Sequence, residues 1–268
     1  MNKYIGRLAK IEAKRLKWRC SVNKNVEKLI KIIKESKSMV IFTGAGVSTE
    51  SGVPDFRSKG GVFEQIEKQY HLSPEEMLSI DFFMKDTKLF YEIYRTIFLN
   101  SQPQPNDCHR AFAELEKRGI VRSVVTQNID NLHQLGGSKR VLEMHGNMFR
   151  NICPKCGKYF SIDYVKDPKN PIPKCDECGG IIRPDVVLYG EPLNSEVMTE
   201  AARDIAQADA MLVTGTSLRV YPAAGFVDYF EGKNLVIVNR ESTPYDFKAR
   251  FVMRDNIGEL MKEVMENL

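Results

Sequence analysis

An α/β fold built on a mostly parallel sheet is predicted by three observations. Short apolar runs recur at residues 39–42, 120–125, 210–214 and 234–238, with the length and valine content of strands buried on both faces. Segments with helical spacing stand between and before them, and strands alternating with helices imply parallel pairing. The first run feeds directly into Thr43-Gly44-Ala45-Gly46-Val47-Ser48, a Gly-x-Gly turn of the kind that opens a Rossmann-like sheet.

The N-terminal segment is set apart by charge. Residues 1–37 hold 12 Lys/Arg against 3 Asp/Glu, a local +9, so residues 38–268 carry −5 within the total of +4. Tyr4, Leu8, Ile11 and Trp18 fall near one helical face among basic residues, which predicts a helical extension over residues 1–24 that packs its stripe on the domain. The charge also equips it for weak contact with an anionic partner. No run is long enough for a membrane helix, and no apolar region with a cleavage site follows the start. The expectation is a cytoplasmic protein without membrane insertion.

Val26, Leu29, Ile30 and Ile33 keep the i, i+3, i+4, i+7 spacing of a helix leading into the first strand. The glycine pair lacks the third glycine of the redox fingerprint, because Thr49 stands in its place and the next helix must therefore enter differently. After Gly52, Pro54-Asp55-Phe56-Arg57 leads into a polar and aromatic stretch with helical patterning over 82–98, which reads as an inserted helical lobe. Cys108, Ala111, Phe112 and Leu115 mark a further helix stopped by Gly119. Helical segments are expected at 196–207 and 221–230, ahead of the last two strands.

Parallel sheets place ligands at the carboxyl ends of their strands. The polar residues directly after each apolar run are therefore grouped as residues 44–48, 126–130, 215–217 and 239–241. Gln127, Asn128 and Asp130 offer donors and acceptors for ribose hydroxyls, an amide or a water, with helix capping as the plain alternative. His145 follows a short apolar run at a predicted domain junction, a position that suits a general base whose free pKa lies near operating pH. His71, His109 and His133 are read as structural.

Cys153-x-x-Cys156 and Cys175-x-x-Cys178 are separated by eighteen residues, and glycine follows each pair. Two such turns complete a closed tetrahedral site, so a structural zinc ribbon is expected rather than redox pairs or disulfides. A closed site has no position for substrate. Cys108 is read as a core residue, and Cys20 is left unassigned.

Together these pieces resemble the sirtuin family of NAD-dependent protein deacylases, in bacterial form. The resemblance spans roughly residues 25–265 and rests on residues 44–48, 52–57, 126–130 and 144–146, the cysteine pairs, residues 183–191 and 215–218, and Val238-Asn239. It implies a Rossmann-like domain over 25–57, 101–146 and 184–268, with a small domain made of the helical insert 58–100 and the zinc-ribbon insert 147–183. It places Gly44, Ala45, Gly46, Thr49 and Asp55 around NAD, with Phe56 and Arg57 in the loop that covers it. Asn128, Ile129 and Asp130 would line the nicotinamide pocket, with Asn128 also catalytic, and Gln127 and His145 would contact the nicotinamide ribose. Gly215, Thr216, Ser217, Asn239 and Ile257 would hold the far phosphate and adenosine. Val187, Leu188 and Tyr189 would border the acyl-lysine tunnel.

The family consumes NAD rather than reducing it, so hydride geometry is not required. The acyl oxygen attacks the anomeric carbon as nicotinamide leaves, and His145 would serve as base on the ribose hydroxyls. Acetylated protein lysines are the implied partners, with 2′-O-acetyl-ADP-ribose as product. Relatives that remove acidic acyl groups carry Tyr-x-x-Arg, whereas here Tyr94 stands third after Tyr91 and Arg95 comes one place late, about 100° around a helix. Neutral acyl groups are therefore expected. Two other readings share these residues: a mono-ADP-ribosyltransferase, and a non-catalytic NAD-sensing or zinc-ribbon binding module.

Overall fold

The structure is a computed structural model and describes residues 24–268. The N-terminal expectations, including Tyr4, Leu8, Ile11, Trp18 and Cys20, lie outside the described residues.

Six strands form one parallel sheet: β1 (Met39–Thr43), β2 (Val121–Thr126), β3 (Val141–Glu143), β7 (Ala210–Thr214), β8 (Asn234–Val238) and β9 (Phe251–Met253), in the order β3-β2-β1-β7-β8-β9. All five pairings are parallel. The central strands are buried on both faces, which is why they read as unbroken apolar runs. Alternation along them still sorts two cores. Met39, Ile41, Leu212 and Val236 face α1 (Lys24–Glu35), α6 (Asp107–Lys117) and α10 (Ile257–Glu266), while Val40, Phe42, Val213 and Ile237 face α9 (Ser195–Ala206). Helices thus cover both faces, as predicted.

The segment 221–230 differs from expectation. It forms a 3₁₀ run over Ala223–Tyr229 rather than an α-helix. Gly225 within it has poor helix propensity, and a short 3₁₀ piece suits such a connector.

A third core belongs to a smaller lobe. Its helices are α2 (Val62–Tyr70), α3 (Pro74–Met77), α4 (Ile80–Lys85) and α5 (Thr87–Ile97). Asp86 and Ser79 cap two of them by accepting from the backbone N–H of Leu89 and Phe82. Their apolar faces meet a three-stranded antiparallel sheet of β4 (Gly146–Ile152), β5 (Tyr159–Phe160) and β6 (Arg183–Val186), together with α8 (Ile162–Lys166). Gly146 permits the chain to pass from β3 into β4. Its φ is +78°, and a Cβ there would lie 2.0 Å from the Asp185 carbonyl oxygen. Among the described residues, no helix is long and apolar enough to cross a membrane.

Candidate active site

The carboxyl ends of β1, β2, β7 and β8 open into a cavity of about 670 Å³, whose opposite wall comes from the small lobe. Immediately after β1 the chain makes two 3₁₀ turns, Ala45–Val47 and Thr49–Ser51, instead of entering a long helix. Here the missing third glycine has its structural counterpart. Thr49 Oγ1 donates to the Gly46 carbonyl at 3.0 Å, so its side chain fixes the turn rather than yielding space to a helix.

The two glycines serve a contact that spacing alone does not reveal. Gly46 N–H donates to the Gly215 carbonyl at 2.8 Å, and a Cβ at Gly46 would lie 2.8 Å from both Gly215 Cα and that oxygen. The first turn is thus packed backbone on backbone against the turn after β7. Gly44, Ala45, Gly46, Thr49, Gly215, Thr216 and Ser217 all line the cavity as a result.

After β2, Gln127 donates through Nε2 to Thr216 Oγ1 at 2.9 Å, tying two strand ends together. Asn128 is nearly buried, and its Nδ2 donates to Ser48 Oγ at 3.1 Å and to Asp130 Oδ2 at 3.3 Å. Ser48 Oγ in turn donates to Asp130 Oδ2 at 2.6 Å. Gln127, Asn128 and Ile129 line the cavity, but Asp130 does not. It lies one layer behind, because its carboxylate is occupied by Ser48, Asn128 and the Leu132 N–H. Burial raises its pKa above the ordinary carboxylate value, against those three hydrogen bonds.

His145 lines the same cavity. Its Nδ1 lies 2.9 Å from the Gln127 carbonyl oxygen, an acceptor that requires the proton on Nδ1 and leaves Nε2 as the basic nitrogen. Desolvation lowers its pKa below 6.5, so the ring is neutral at pH 7. The other histidines are structural, as expected. His109 and His133 are buried side by side, with ring centroids 4.9 Å apart, and His71 closes α2.

Asp55 accepts from the backbone N–H groups of Arg57 and Ser58, folding the 52–61 loop back on itself. Phe56 packs edge-on against Phe63, and the Arg57 guanidinium lies 5.2 Å over that ring. Asp55, Phe56 and Arg57 are part of the wall, as are Asn239 and Ile257 at the β8 end. Val187, Leu188 and Tyr189 follow β6 and line the cavity too. Backbone bonds from Ile80 N–H to the Tyr189 carbonyl (3.0 Å) and from Tyr189 N–H to the Leu78 carbonyl (2.9 Å) fasten this segment to the helical insert.

Sequence reading missed the aromatic wall. Phe90, Tyr94 and Phe98 repeat every four residues along and just beyond α5 and line the cavity together, a spacing that any core-facing helix also shows. The Arg95 expectation holds in part. Arg95 is turned toward the zinc-ribbon insert, where it donates to the carbonyls of Val165 (2.7 Å) and Asn170 (2.6 Å), although its guanidinium also rests 5.1 Å over the Tyr91 ring.

The four cysteine sulfurs all lie within 4.8 Å of one another, with Cys153–Cys178 at 3.4 Å and Cys156–Cys175 at 3.5 Å. Thiolates about 2.3 Å from a tetrahedral zinc stand just under 4 Å apart, so this donor set fits a structural zinc. None of the four lines the cavity. Cys108 is a buried core residue.

The Sir2 family profile matches residues 44–222, which hold the first glycine turn, residues 126–130, His145 and the cysteine pairs. The chain belongs to the Sir2 family. It is 47% identical over 240 residues to an NAD-dependent protein deacetylase of Clostridium tetani, covering 90% of this chain and 97% of that protein. A protein of the same description from Fusobacterium nucleatum is 45% identical, with 92% and 93% covered. Among solved structures, a Sir2 complex with p53 peptide and NAD+ is 37% identical with a TM-score of 0.80, covering 90% of this chain and 98% of its own. A Sir2 structure bound to acetylated peptide has a TM-score of 0.80 at 36% identity and the same coverage. The Sir2-family fold thus extends over the whole sheet and the small lobe.

Proposed function

We propose that this Sir2-family chain is an NAD-dependent protein lysine deacetylase, which consumes NAD, acetyl-lysine and one water and releases nicotinamide, lysine and 2′-O-acetyl-ADP-ribose. The observation that carries the reading is the placement of His145: a half-buried imidazole on the cavity wall, its tautomer fixed by the Gln127 carbonyl and its neutral form favoured by desolvation. Such a group accepts a proton from a ribose hydroxyl as that oxygen attacks the acyl carbon. The similarity to proteins described as NAD-dependent protein deacetylases supports the same conclusion.

In this proposal Asn128 is held at the nicotinamide end by Ser48 and Asp130, with Ile129 beside it. Gln127 meets the nicotinamide ribose. Gly44, Ala45, Gly46 and Thr49 cradle phosphate and ribose through the backbone, as an N–H-lined turn does. Asp55, Phe56 and Arg57 cover the cofactor, and Gly215, Thr216, Ser217, Asn239 and Ile257 take the far phosphate and adenosine. Val187, Leu188 and Tyr189 border the acyl-lysine.

The proposed large domain comprises 25–57, 101–146 and 184–268, and the small domain comprises 58–100 and 147–183, with β4 and β6 pairing across the divisions. Unpaired thiols set for a metal suit a reducing compartment such as the cytoplasm. The basic N-terminal segment is assigned weak anionic contact on its charge alone, and deleting residues 1–22 while following binding to anionic vesicles tests that.

Incubation with NAD and an acetyl-lysine peptide, followed by mass spectrometry, tests the main reading. O-acetyl-ADP-ribose should form with the wild type and fall sharply with His145→Ala. Product undiminished in the variant would sink the role given to His145.

A further inference from the structure

The Val187-Leu188-Tyr189 wall is held by an ion pair between residues on either side of it. Arg183 opens β6, and Glu191 follows the turn at Gly190, whose φ is +90°. The two side chains meet across the turn in a bidentate contact, Nη1 to Oε1 at 2.5 Å and Nη2 to Oε2 at 2.7 Å. They are 15% and 22% exposed, so water screens the pair little. Burial raises the Glu191 carboxyl, but Arg183 and the Leu188 N–H together hold it below its ordinary value, which keeps it ionised at pH 7.

Both partners also hold backbone. Leu188 N–H donates to Glu191 Oε2 at 2.9 Å, and Arg183 Nη2 donates to the Val186 carbonyl at 3.0 Å. Glu191 N–H returns to the Leu188 carbonyl at 3.0 Å. The guanidinium lies 5.7 Å over the Phe83 ring of α4, which braces the pair against the helical insert. Next to it in the chain, Val187 N–H donates to the His145 carbonyl at 3.0 Å. Glu191 lines the cavity whereas Arg183 does not. Both carboxylate oxygens are committed within the turn, so the acid shapes the wall instead of offering its charge to a ligand.

We propose that Arg183 and Glu191 are positioning residues for the acyl-lysine: their pair fixes the Val187-Leu188-Tyr189 wall through the Val186 carbonyl and the Leu188 N–H, and its loss weakens capture of the acylated peptide while sparing NAD. The inference rests on the deacetylase reading above, which assigns that wall to the acyl-lysine. The hydrogen bonds of both side chains stay within residues 183–191, away from the turns assigned to NAD after β1, β7 and β8. A pair that served the fold alone would lower stability without separating the two co-substrates.

The test is steady-state kinetics with NAD and an acetyl-lysine peptide, each varied in turn, for the wild type, Glu191→Gln, Glu191→Ala, Arg183→Ala and the double alanine variant. In Glu191→Ala the KM for peptide should rise about tenfold, as for the loss of a charge-assisted hydrogen bond, with the KM for NAD within about twofold of wild type. Arg183→Ala should act in the same direction. Because both substitutions remove one contact, the double variant should be no worse than the worse single one. Glu191→Gln keeps an acceptor for the Leu188 N–H but loses the charge, so its peptide KM should rise about threefold. An unchanged peptide KM in Glu191→Ala, equal rises for peptide and NAD, or single effects that multiply in the double variant would each overturn the proposal. If the alanine variants do not fold, Glu191→Gln decides, and a peptide KM equal to that of the wild type overturns it. A wild type that forms no O-acetyl-ADP-ribose overturns the deacetylase reading and the proposal with it, whereas an active wild type with insensitive variants overturns the proposal alone.

Discussion

Replacing Gly46 with alanine places a methyl group where the protein has backbone. The added Cβ would sit 2.8 Å from Gly215 Cα and from the Gly215 carbonyl oxygen, and 3.0 Å from its carbonyl carbon. No flexible side chain is available to move aside, so the two turns must separate by several tenths of an ångström. Overpacking of this kind costs about 1–3 kcal/mol. It also strains the hydrogen bond from Gly46 N–H to Gly215. With a urea m-value of about 3 kcal/mol/M for a chain of this size, the midpoint should fall by about 0.3–1 M. Because both turns are assigned to NAD, kcat/KM for NAD should fall by about tenfold or more, since small displacements of a positioning element are costly. Gly225→Ala is the control: the nearest atoms to its Cβ would be ordinary contacts at 3.7 Å from the Tyr221 ring. Alanine there should leave stability unchanged or raise it by up to about 1 kcal/mol. Gly46→Ala with unaltered urea midpoint and unaltered NAD kinetics would refute the idea that these glycines exist for the backbone contact.

Other consequences follow from the same geometry. Burial disfavours the His145 imidazolium, so the base remains neutral as pH falls through 6.5; the acid limb of kcat/KM should therefore have its midpoint below 6.5, and a midpoint above 7 would contradict the desolvated environment. With Arg95 committed to the Val165 and Asn170 carbonyls, a succinyl-lysine peptide should be a poorer substrate than its acetyl counterpart, and parallel kinetics showing the reverse order would refute the neutral-acyl expectation. Stripping zinc with a strong chelator should unfold the ribbon and abolish activity although no cysteine lines the cavity; full activity in metal-free protein, checked by elemental analysis, would show that the ribbon does not support the site.

The parts legible in sequence are those where one physical demand dominates. β1, β2, β7 and β8 are buried on both faces, so each appears as an apolar run, and the cysteine pairs announce a metal site because tetrahedral thiolate ligation requires that spacing. Other parts depend on tertiary partners. β6 reads Arg183-Pro184-Asp185-Val186 and becomes a strand only through β4, while the three-residue β9 is too short to show a period. Asp130 carries the same polar signal as Gln127 and Asn128, and its tie to the Ser48 hydroxyl, a contact between strand ends far apart in sequence, shows only in the fold. Phe90 and Tyr94 look like an ordinary helix core until the opposite wall is known. The glycine pair was legible as a turn, but its contact with Gly215 lies more than 160 residues away in sequence.

The stoichiometry of the reaction tests the central claim most directly. Quantitative mass spectrometry of the enzyme with NAD and an acetyl-lysine peptide should give nicotinamide, unmodified lysine peptide and O-acetyl-ADP-ribose in equal amounts. Nicotinamide release accompanied by ADP-ribose attached to protein, with the acetyl group still on the peptide, would contradict it and favour the transferase reading.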